Sequence, residues 1–398
     1  MFQSDKTTLS IVTAMMFFSF AASCAAQDIK VGYNSDMSAG GSSEFGISGL
    51  YGLEEAAEEI NKSGGGLGRK IVVVARDDTG QPPKAIQNTS ELVDNEKVTA
   101  MFGGANSGTV LAWMHIPQQK QIPVISPIAT ATEITKRYQP TQANYIFRIS
   151  MVDREQIALL MAYAVRATKD KKIAFLVDST GYGQQALKDL KDVISLHGMS
   201  AVAEEKFGPK DTDMTSQLNK IRSAGADTVI VIGLADANAQ VMRSMEKISY
   251  FPVTLGSWAN INTPLNTIAG KDLAGRMIFT ASVTPDSTPK AAALYSRLIA
   301  KHPGMPTFIT AAQSYDSLLV LAQAIKQAGG TDGVKILSAL ENLQKVEGVI
   351  KTYDKPFTKT NHEGMTVNDF HLAKWQDGKI VTYADDITRA ILPADLKR

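Results

Sequence analysis

After residue 27, short apolar segments rich in β-branched residues alternate with longer segments in which apolar residues recur every three or four positions. The first pattern is typical of buried strands, and the second of helices that cover a sheet. In the helical segment 49–61, for example, Leu50, Leu53 and Ile60 mark one face. Strands are predicted at 29–33, 70–75, 100–102, 124–126, 173–177, 201–206, 228–232, 253–256 and 276–280. This alternation predicts an α/β fold with parallel sheets covered on both faces.

The strand–helix series starts again near Asp153, after the segment 144–150. Its regular alternation lapses after residue 280, where predicted helices at 290–300 and 311–329 follow each other closely. Two similar doubly wound domains, joined by several crossings of the chain, explain this arrangement. Ligands of such open sheets bind beyond the carboxyl ends of the strands, so residues just after strands are candidates for a cleft between the domains.

Composition narrows the class of protein. The 398 residues suffice for two domains, and 44% apolar and 20% charged residues are typical of a soluble globular protein. A net charge of +1 without a basic cluster argues against nucleic acid as the partner.

Residues 1–26 have the pattern of a secretory signal peptide: a short polar start with Lys6, an apolar centre and a small-residue end. Cleavage after Ala26 would release a soluble periplasmic protein. Alternatively, Cys24, the only cysteine, would be lipidated, because residues 21–24 resemble a weak bacterial lipobox. Ala21 stands where a leucine is usual, which favours the soluble product.

The segment GGANSGT, residues 103–109, stands where a strand passes into a helix. Free N–H groups at a helix start, together with hydroxyls, can bind a small anion. The alternative is that Ser107 only caps the helix. Residues 125–135, ISPIATATEIT, follow the next strand and place small residues around Thr130. Neighbouring strand ends would then present Ser107 and Thr130 to one ligand.

Motifs for catalysis or cofactors are weak. GYGQQA at 181–186 matches a dinucleotide fingerprint, but three residues separate it from its strand, so we interpret it as a turn that points Tyr182 into the cleft. NHEGM at 361–365 lacks the second histidine of a zinc-protease helix, and the other histidines are scattered. Since no nucleophile–base set is apparent either, we predict a protein without metal, cofactor or catalytic residues.

Several segments together resemble the bacterial type I periplasmic binding proteins, above all the leucine/isoleucine/valine-binding proteins that deliver solutes to ABC importers. The resemblance covers essentially the whole mature chain and is carried by IKVGYNSDMSAGGSSEFG (29–46), GLEEAAEEINKSGGGLGRKIVVVARDD (52–78), GGANSGT, PVISPIAT and GADTVIVIG (225–233). It implies two Rossmann-like lobes joined by a hinge, with the ligand in the cleft between them. The first lobe would combine 28–149 with 283–352, and the second 150–280 with 355–398.

The resemblance also implies how the ligand is held. Its carboxylate would be bound by hydroxyl groups and main-chain N–H groups of the first lobe, and its body by aromatic side chains. The residues that match these positions are Ser107 and Thr130, the main chain around Asn106, Ile128 and Thr109, and the rings of Tyr182 and Phe45.

Two positions depart from the pattern of amino-acid binders. Trp258 stands where a carboxylate normally pairs with the ammonium group of the ligand, and Leu234 replaces a tyrosine. Trp258 would stack on a flat apolar group or be part of the core. Asp236 is the residue that could replace the lost charge.

We therefore predict the extracytoplasmic solute-binding component of an ABC importer, which closes its lobes over a small carboxylate. An aromatic or apolar acid is favoured over a free amino acid. The expected partners are this ligand and the permease and ATPase subunits, with membrane contact through the permease or a lipid on Cys24. The alternatives are an amino-acid-binding protein proper, a ligand sensor of the same fold, or an exported α/β enzyme.

Overall fold

Two separate parallel sheets organise the chain in a computed structural model that describes Met1 and residues 27–39 and 41–398. Residues 2–26 of the predicted signal peptide, Cys24 among them, lie outside the described residues. The first sheet has the order β2-β1-β3-β4-β5, and every neighbouring pair is parallel. Its strands are β1 (Ile29–Ser35), β2 (Ile71–Asp77), β3 (Ala100–Gly103), β4 (Val124–Ser126) and β5 (Ile146–Arg148). Its helices are α1 (Ser43–Lys62), α2 (Pro82–Ser90), α3 (Ser107–Trp113), α4 (His115–Gln119) and α5 (Glu133–Lys136), with a π-helical turn at Glu91–Asn95.

The second sheet repeats this strand order over residues 173–281. Its parallel strands are β6 (Ile173–Asp178), β7 (Ala203–Phe207), β8 (Thr228–Ile232), β9 (Val253–Gly256) and β10 (Met277–Ala281), in the order β7-β6-β8-β9-β10. The helices around it are α6 (Asp153–Ala167), α7 (Gly181–Leu196), α8 (Thr215–Ser223), α9 (Ala235–Lys247), α10 (Thr263–Ala269) and α11 (Lys271–Ala274). Two doubly wound lobes are therefore present, as the fold prediction states. We call the unit around the first sheet the first lobe and the unit around the second sheet the second lobe.

The central predicted strands form because their apolar runs are buried on both faces. All five residues of β8, TVIVI, are buried, as are all six of β6. A strand covered by helices on both sides needs no polar face, so the continuous apolar pattern identifies it.

The helix α1 begins at Ser43, six residues before the predicted start. Glycines at 46, 49 and 52 interrupt the helical pattern there, yet they lie inside the helix. A Cβ at Gly46 would lie 1.7 Å from the Asp36 carbonyl oxygen, and one at Gly52 would lie 2.0 Å from that of Ala311. These glycines allow the helix to pack directly on neighbouring backbone, a contact that the local sequence does not reveal.

After β10 the chain returns to the first lobe with α12 (Pro289–Lys301), α13 (Phe308–Ala328), α14 (Gly333–Glu341) and a hairpin of β11 (Lys345–Glu347) and β12 (Thr352–Asp354). Arg297 on α12 pairs with Glu55 on α1 at 2.8 Å, and Tyr315 on α13 donates to Glu59 at 2.7 Å. The helices α12 and α13 therefore complete the outer layer of the first lobe.

The last part of the chain contributes to both lobes. Antiparallel strands β13 (His371–Gln376) and β14 (Lys379–Thr382) extend the second sheet beside β10, and α15 (Asp386–Arg389) follows. Residues 357–364, which we predicted in the second lobe, pack instead on β5. The Arg148 N–H donates to the His362 carbonyl at 3.0 Å, and the ring centroids of Phe147 and Phe357 lie 4.9 Å apart. The other lobe boundaries stay predictions.

Candidate ligand-binding cleft

The turn between β3 and α3 is shaped by two glycines with positive φ, Gly103 at +146° and Gly104 at +90°. A Cβ at Gly103 would lie 2.2 Å from the Asn34 carbonyl oxygen, and one at Gly104 would lie 1.7 Å from Val110 Cγ2. Only glycine fits this close approach, and it lets the chain enter α3 immediately after the strand. The N-terminus of α3 consequently faces the space beyond the carboxyl end of the sheet.

The helix cap at this terminus is Asn106, whose side-chain oxygen accepts from the Gly108 N–H at 2.8 Å. The alternative interpretation of Ser107 as the cap is therefore wrong, because Ser107 is the first helical residue. Its Oγ accepts from the Ala131 N–H at 3.1 Å, which joins this turn to the loop after β4. A hydroxyl that accepts in this way keeps its own proton for another partner.

The loop after β4 is held from behind by a buried arginine. Arg148 is fully buried, and its Nη1 donates to the carbonyl oxygens of Ala129 and Ala131 at 3.3 and 2.9 Å. The same guanidinium pairs with Glu363 at 2.8 Å, and the Ser150 hydroxyl donates to the Ala129 carbonyl at 2.9 Å. The carbonyl groups on both sides of Thr130 are therefore already hydrogen-bonded, and these bonds hold the loop that carries Thr130 in place.

Aromatic side chains from both lobes face this polar turn. Tyr182, in the first turn of α7, donates its hydroxyl to Ser257 Oγ at 2.6 Å. Trp258 begins the 3₁₀ helix Trp258–Ile261 after β9, and its ring centroid lies 4.8 Å from that of Phe45 on α1. Trp258 is 4% exposed, and its Nε1 has no acceptor among the described residues. A buried N–H without an acceptor can serve a bound ligand.

These groups line a narrow pocket between the lobes, which in this conformation has room for about one water molecule. It holds seven of the ten residues that we predicted, together with three alanines: Phe45, Ala105, Asn106, Ser107, Ala129, Thr130, Tyr182, Leu234, Trp258 and Ala259. The side chain of Ile128 packs against α1 and not into the pocket, because its Cδ1 lies only 2.8 Å from where a Cβ of Gly49 would be. Only the main chain of Ile128 can therefore face the site. Thr109 and Asp236 line the outer part of the cleft instead.

The outer cleft contains charges of both signs, because Asp36, Asp236 and Lys210 line it. Asp236 lies in the first turn of α9, and burial raises the pKa of its carboxyl group. Glu44 on α1 lies near enough for Asp236 to help raise its pKa, although burial is the larger cause. Asp236 Oδ1 and Glu44 Oε2 are both buried without a hydrogen-bond partner among the described residues. A cationic group in the outer cleft would find Asp36 of the first lobe and Asp236 of the second, with Lys210 also in the lining.

The two lobes touch where α3 and α7 begin. A Cβ at Gly181 would lie 2.7 Å from the Cα of Gly108, so the two backbones meet with no side chain between them. Both helices direct the positive ends of their dipoles toward this junction beside the cavity. The arrangement is that of a closed clamp.

Asp153 is a buried carboxylate next to the loop that carries Thr130, and the sequence pattern marks it only as the start of the second series of elements. It begins α6 and is 2% exposed. Its N–H donates to the Thr130 carbonyl at 2.9 Å. The sequence does show a carboxylate at the point where the chain crosses between the lobes. It does not show that this carboxylate lies beside the loop after β4, because the two are neighbours in the folded protein and not along the chain.

Comparison with known proteins identifies the family. The model of the family described as "Periplasmic binding protein" matches residues 28–379. The chain belongs to the type I periplasmic binding proteins, of the leucine/isoleucine/valine-binding kind. A Leu/Ile/Val-binding protein homolog 3 from Brucella melitensis is 27% identical, over 90% of this chain and 95% of its own length. BraC3, a Leu/Ile/Val-binding protein from Rhizobium johnstonii, is also 27% identical, over 94% and 99%.

Solved structures agree with this membership. A type 1 periplasmic binding protein from Bordetella pertussis matches with a TM-score of 0.79 and 26% identity, over 89% of this chain and 99% of that one. The branched-chain amino acid transporter substrate-binding protein LivJ from Streptococcus pneumoniae, solved with isoleucine, matches with a TM-score of 0.75 and 25% identity, over 89% and 97%. These relatives and the proteins in these solved structures are substrate-binding proteins. The present chain therefore binds a solute and is not an enzyme.

The family is extracytoplasmic and supplies the substrate-binding components of ABC transporters. Within residues 27–39 and 41–398, every helix is too short or too polar to cross a bilayer. In the same residues, His, Cys, Asp and Glu side chains form no group of three that could hold a metal ion.

Proposed function

We propose that this periplasmic binding protein captures a small carboxylate for an ABC importer by closing its two lobes over it. The observation that carries the proposal is the make-up of the pocket between the lobes. Ser107, Thr130 and the start of α3 contribute polar groups to its lining, and Phe45, Tyr182 and Trp258 contribute rings. Hydroxyl groups and N–H groups at a helix start suit a carboxylate, while rings suit an apolar body.

The ligand preference that we propose is an aromatic or apolar acid rather than a free amino acid. An α-ammonium group in a closed cavity needs an acceptor, and a buried polar group without a partner is costly. Leu234 and Trp258 provide none through their side chains. A deaminated acid leaves no such group unpaired and buries its body against the rings.

An amino acid is the second candidate, supported by two carboxyl groups near the cleft. Asp236 Oδ1 and Glu44 Oε2 lack partners, so an ammonium group that reached them would be compensated. The names of the Brucella and Rhizobium relatives point in the same direction.

Competition binding with matched acids separates the two candidates. 3-Phenylpropanoate and 4-methylpentanoate are compared with L-phenylalanine and L-leucine, which differ from them only by the α-amino group. We expect the acid of each pair to bind more tightly. Tighter binding of both amino acids would favour the second candidate. Carboxylate capture would be refuted if none of the four compounds binds and a wider thermal-shift screen of small carboxylates also finds no ligand.

The importer role distinguishes this proposal from a ligand sensor of the same fold. We propose periplasmic localisation after removal of residues 1–26, or anchoring through a lipid on Cys24, and delivery to permease and ATPase subunits. Genes for a permease and an ATPase beside the gene for this chain would support the importer. Mass spectrometry of the N-terminus of the exported protein would distinguish cleavage after Ala26 from lipidation.

A further inference from the structure

Asp153 lies directly behind the loop that carries Thr130. Besides its main-chain bond to that loop, its Oδ1 accepts from Gln156 Nε2 at 3.3 Å. Its Oδ2 accepts no hydrogen bond from any described residue. A carboxyl group is therefore buried beside the cavity with part of its hydrogen-bonding capacity unused.

Thr130 links this carboxyl group to the cavity, because the Thr130 carbonyl accepts from the Asp153 N–H at 2.9 Å. Thr130 lines the cavity, and its hydroxyl stabilises the charged form of Asp153. A hydroxyl has one proton to donate, and an ionised carboxylate can only accept. The proton of Thr130 can therefore serve an ionised Asp153 or an anion in the cavity, but not both.

The charged surroundings of Asp153 come from three further elements. Arg148 on β5 favours its charged form, whereas Asp178 on β6 and Asp189 on α7 disfavour it. The phenol of Tyr182, also on α7, faces it as well. Burial is the largest cause and raises the pKa of Asp153 to about 7. An anion bound beside Thr130 adds another like charge and raises the pKa of Asp153 further.

We infer that Asp153 is a proton-linked positioning residue of the binding site: it is neutral when a carboxylate is bound, and its own proton, donated to Thr130, directs the Thr130 hydroxyl at the ligand. This inference rests on the proposed function. Above neutral pH, binding then takes up one proton from solvent. That proton forms the O–H bond of Asp153, and no other covalent bond changes.

Calorimetry tests the inference with 3-phenylpropanoate and 4-methylpentanoate as probes. At pH 8.5, binding to the wild type is measured in two buffers of different ionisation enthalpy. We expect uptake of about one proton, and an affinity that falls by up to about tenfold per pH unit above pH 7. In Asp153→Asn the amide is a permanent neutral donor, so no proton is taken up at this position. Its affinity should match the wild type at pH 6 and exceed it about thirtyfold at pH 8.5.

A matched control is Asp316→Asn. Asp316 is another buried carboxylate, whose pKa burial raises to about 6, but it accepts from Val349 and Ile350 N–H groups away from the cleft. This variant should keep the proton uptake and the pH profile of the wild type. Two results would overturn this inference and leave the proposed function standing. One is equal proton uptake by the wild type and Asp153→Asn, and the other is a loss of affinity in Asp153→Asn that is the same at both pH values. If neither probe nor any other small carboxylate binds to the wild type, the proposed function fails first.

Discussion

On the first-lobe side of the cavity the lining is small and polar, and on the second-lobe side it is large and apolar. We call Ala105, Asn106, Ser107, Ala129 and Thr130 the polar wall, and Tyr182, Leu234, Trp258 and Ala259 the apolar wall. Phe45 of the first lobe reaches across to Trp258. The polar wall acts through backbone geometry and hydroxyl groups, whereas the apolar wall acts through side-chain volume.

This difference separates two properties of the ligand. The polar wall can recognise one functional group, because hydrogen-bond donors need an acceptor at a defined place. The apolar wall selects the size and shape of the remainder, since dispersion and burial scale with contact area. Substitutions on the two walls should therefore change affinity in different ways, and three predictions test whether they do.

The largest effect is expected for Trp258→Ala. Truncation of a buried tryptophan costs about 3–5 kcal/mol, and part of this loss falls on the ligand that contacts the ring. We expect calorimetry to show about a hundredfold weaker binding of 3-phenylpropanoate. Trp258→Phe, the matched variant, should lose much less. Acetate, which is too small to reach the ring, should bind equally to all three proteins. An equal loss for acetate would show that the two walls are not separable.

A smaller effect is expected for Ser107→Ala on the polar wall. Loss of a hydrogen bond to a charged group costs roughly 1.5–3 kcal/mol, so affinity should fall about tenfold or more. The factor should be the same for 3-phenylpropanoate and 4-methylpentanoate, because both present the same carboxylate. Thermal melting of the variant provides the control for folding. Unchanged affinity together with a lowered Tm would mean that Ser107 serves only the Ala131 N–H.

The smallest effect is expected for Gly181→Ala, which acts on the junction of the walls. The added methyl group meets Gly108 only when the lobes are closed, and overpacking of this kind costs about 1 kcal/mol or more. We expect roughly fivefold weaker binding, with less compaction in small-angle scattering at equal ligand concentration and an unchanged Tm without ligand. Gly330→Ala is the matched control, since a Cβ there has no atom within 4 Å. Full compaction and full affinity in Gly181→Ala would contradict the closed clamp.

Much of the framework follows from the chain itself. The predicted bounds of β4, β8 and β9 agree with the structure residue for residue, because apolar runs bounded by turn residues are a local property. The turn at 103–109 was recognisable for the same reason, as a glycine pair between a strand and a helix. The succession of strand ends also predicted the pairing of Ser107 with Thr130, and the structure brings these residues to one cavity.

Other features depend on contacts between residues far apart in the chain, which no local pattern encodes. Glycines that resemble a loop form the start of α1 because they pack on the backbone of residues 36 and 311. Residues 357–364 join the first lobe because they pair with Arg148, more than 200 positions earlier. The raised pKa of Asp153 results from its burial and from the charges of Arg148, Asp178 and Asp189, which come close to it only in the folded protein. The sequence determined the secondary-structure elements and the chemistry of each strand end. Tertiary packing decided which strand ends share a cavity and which carboxyl groups are removed from water. The reason is that burial and electrostatic interactions depend on distance in space and not on distance along the chain.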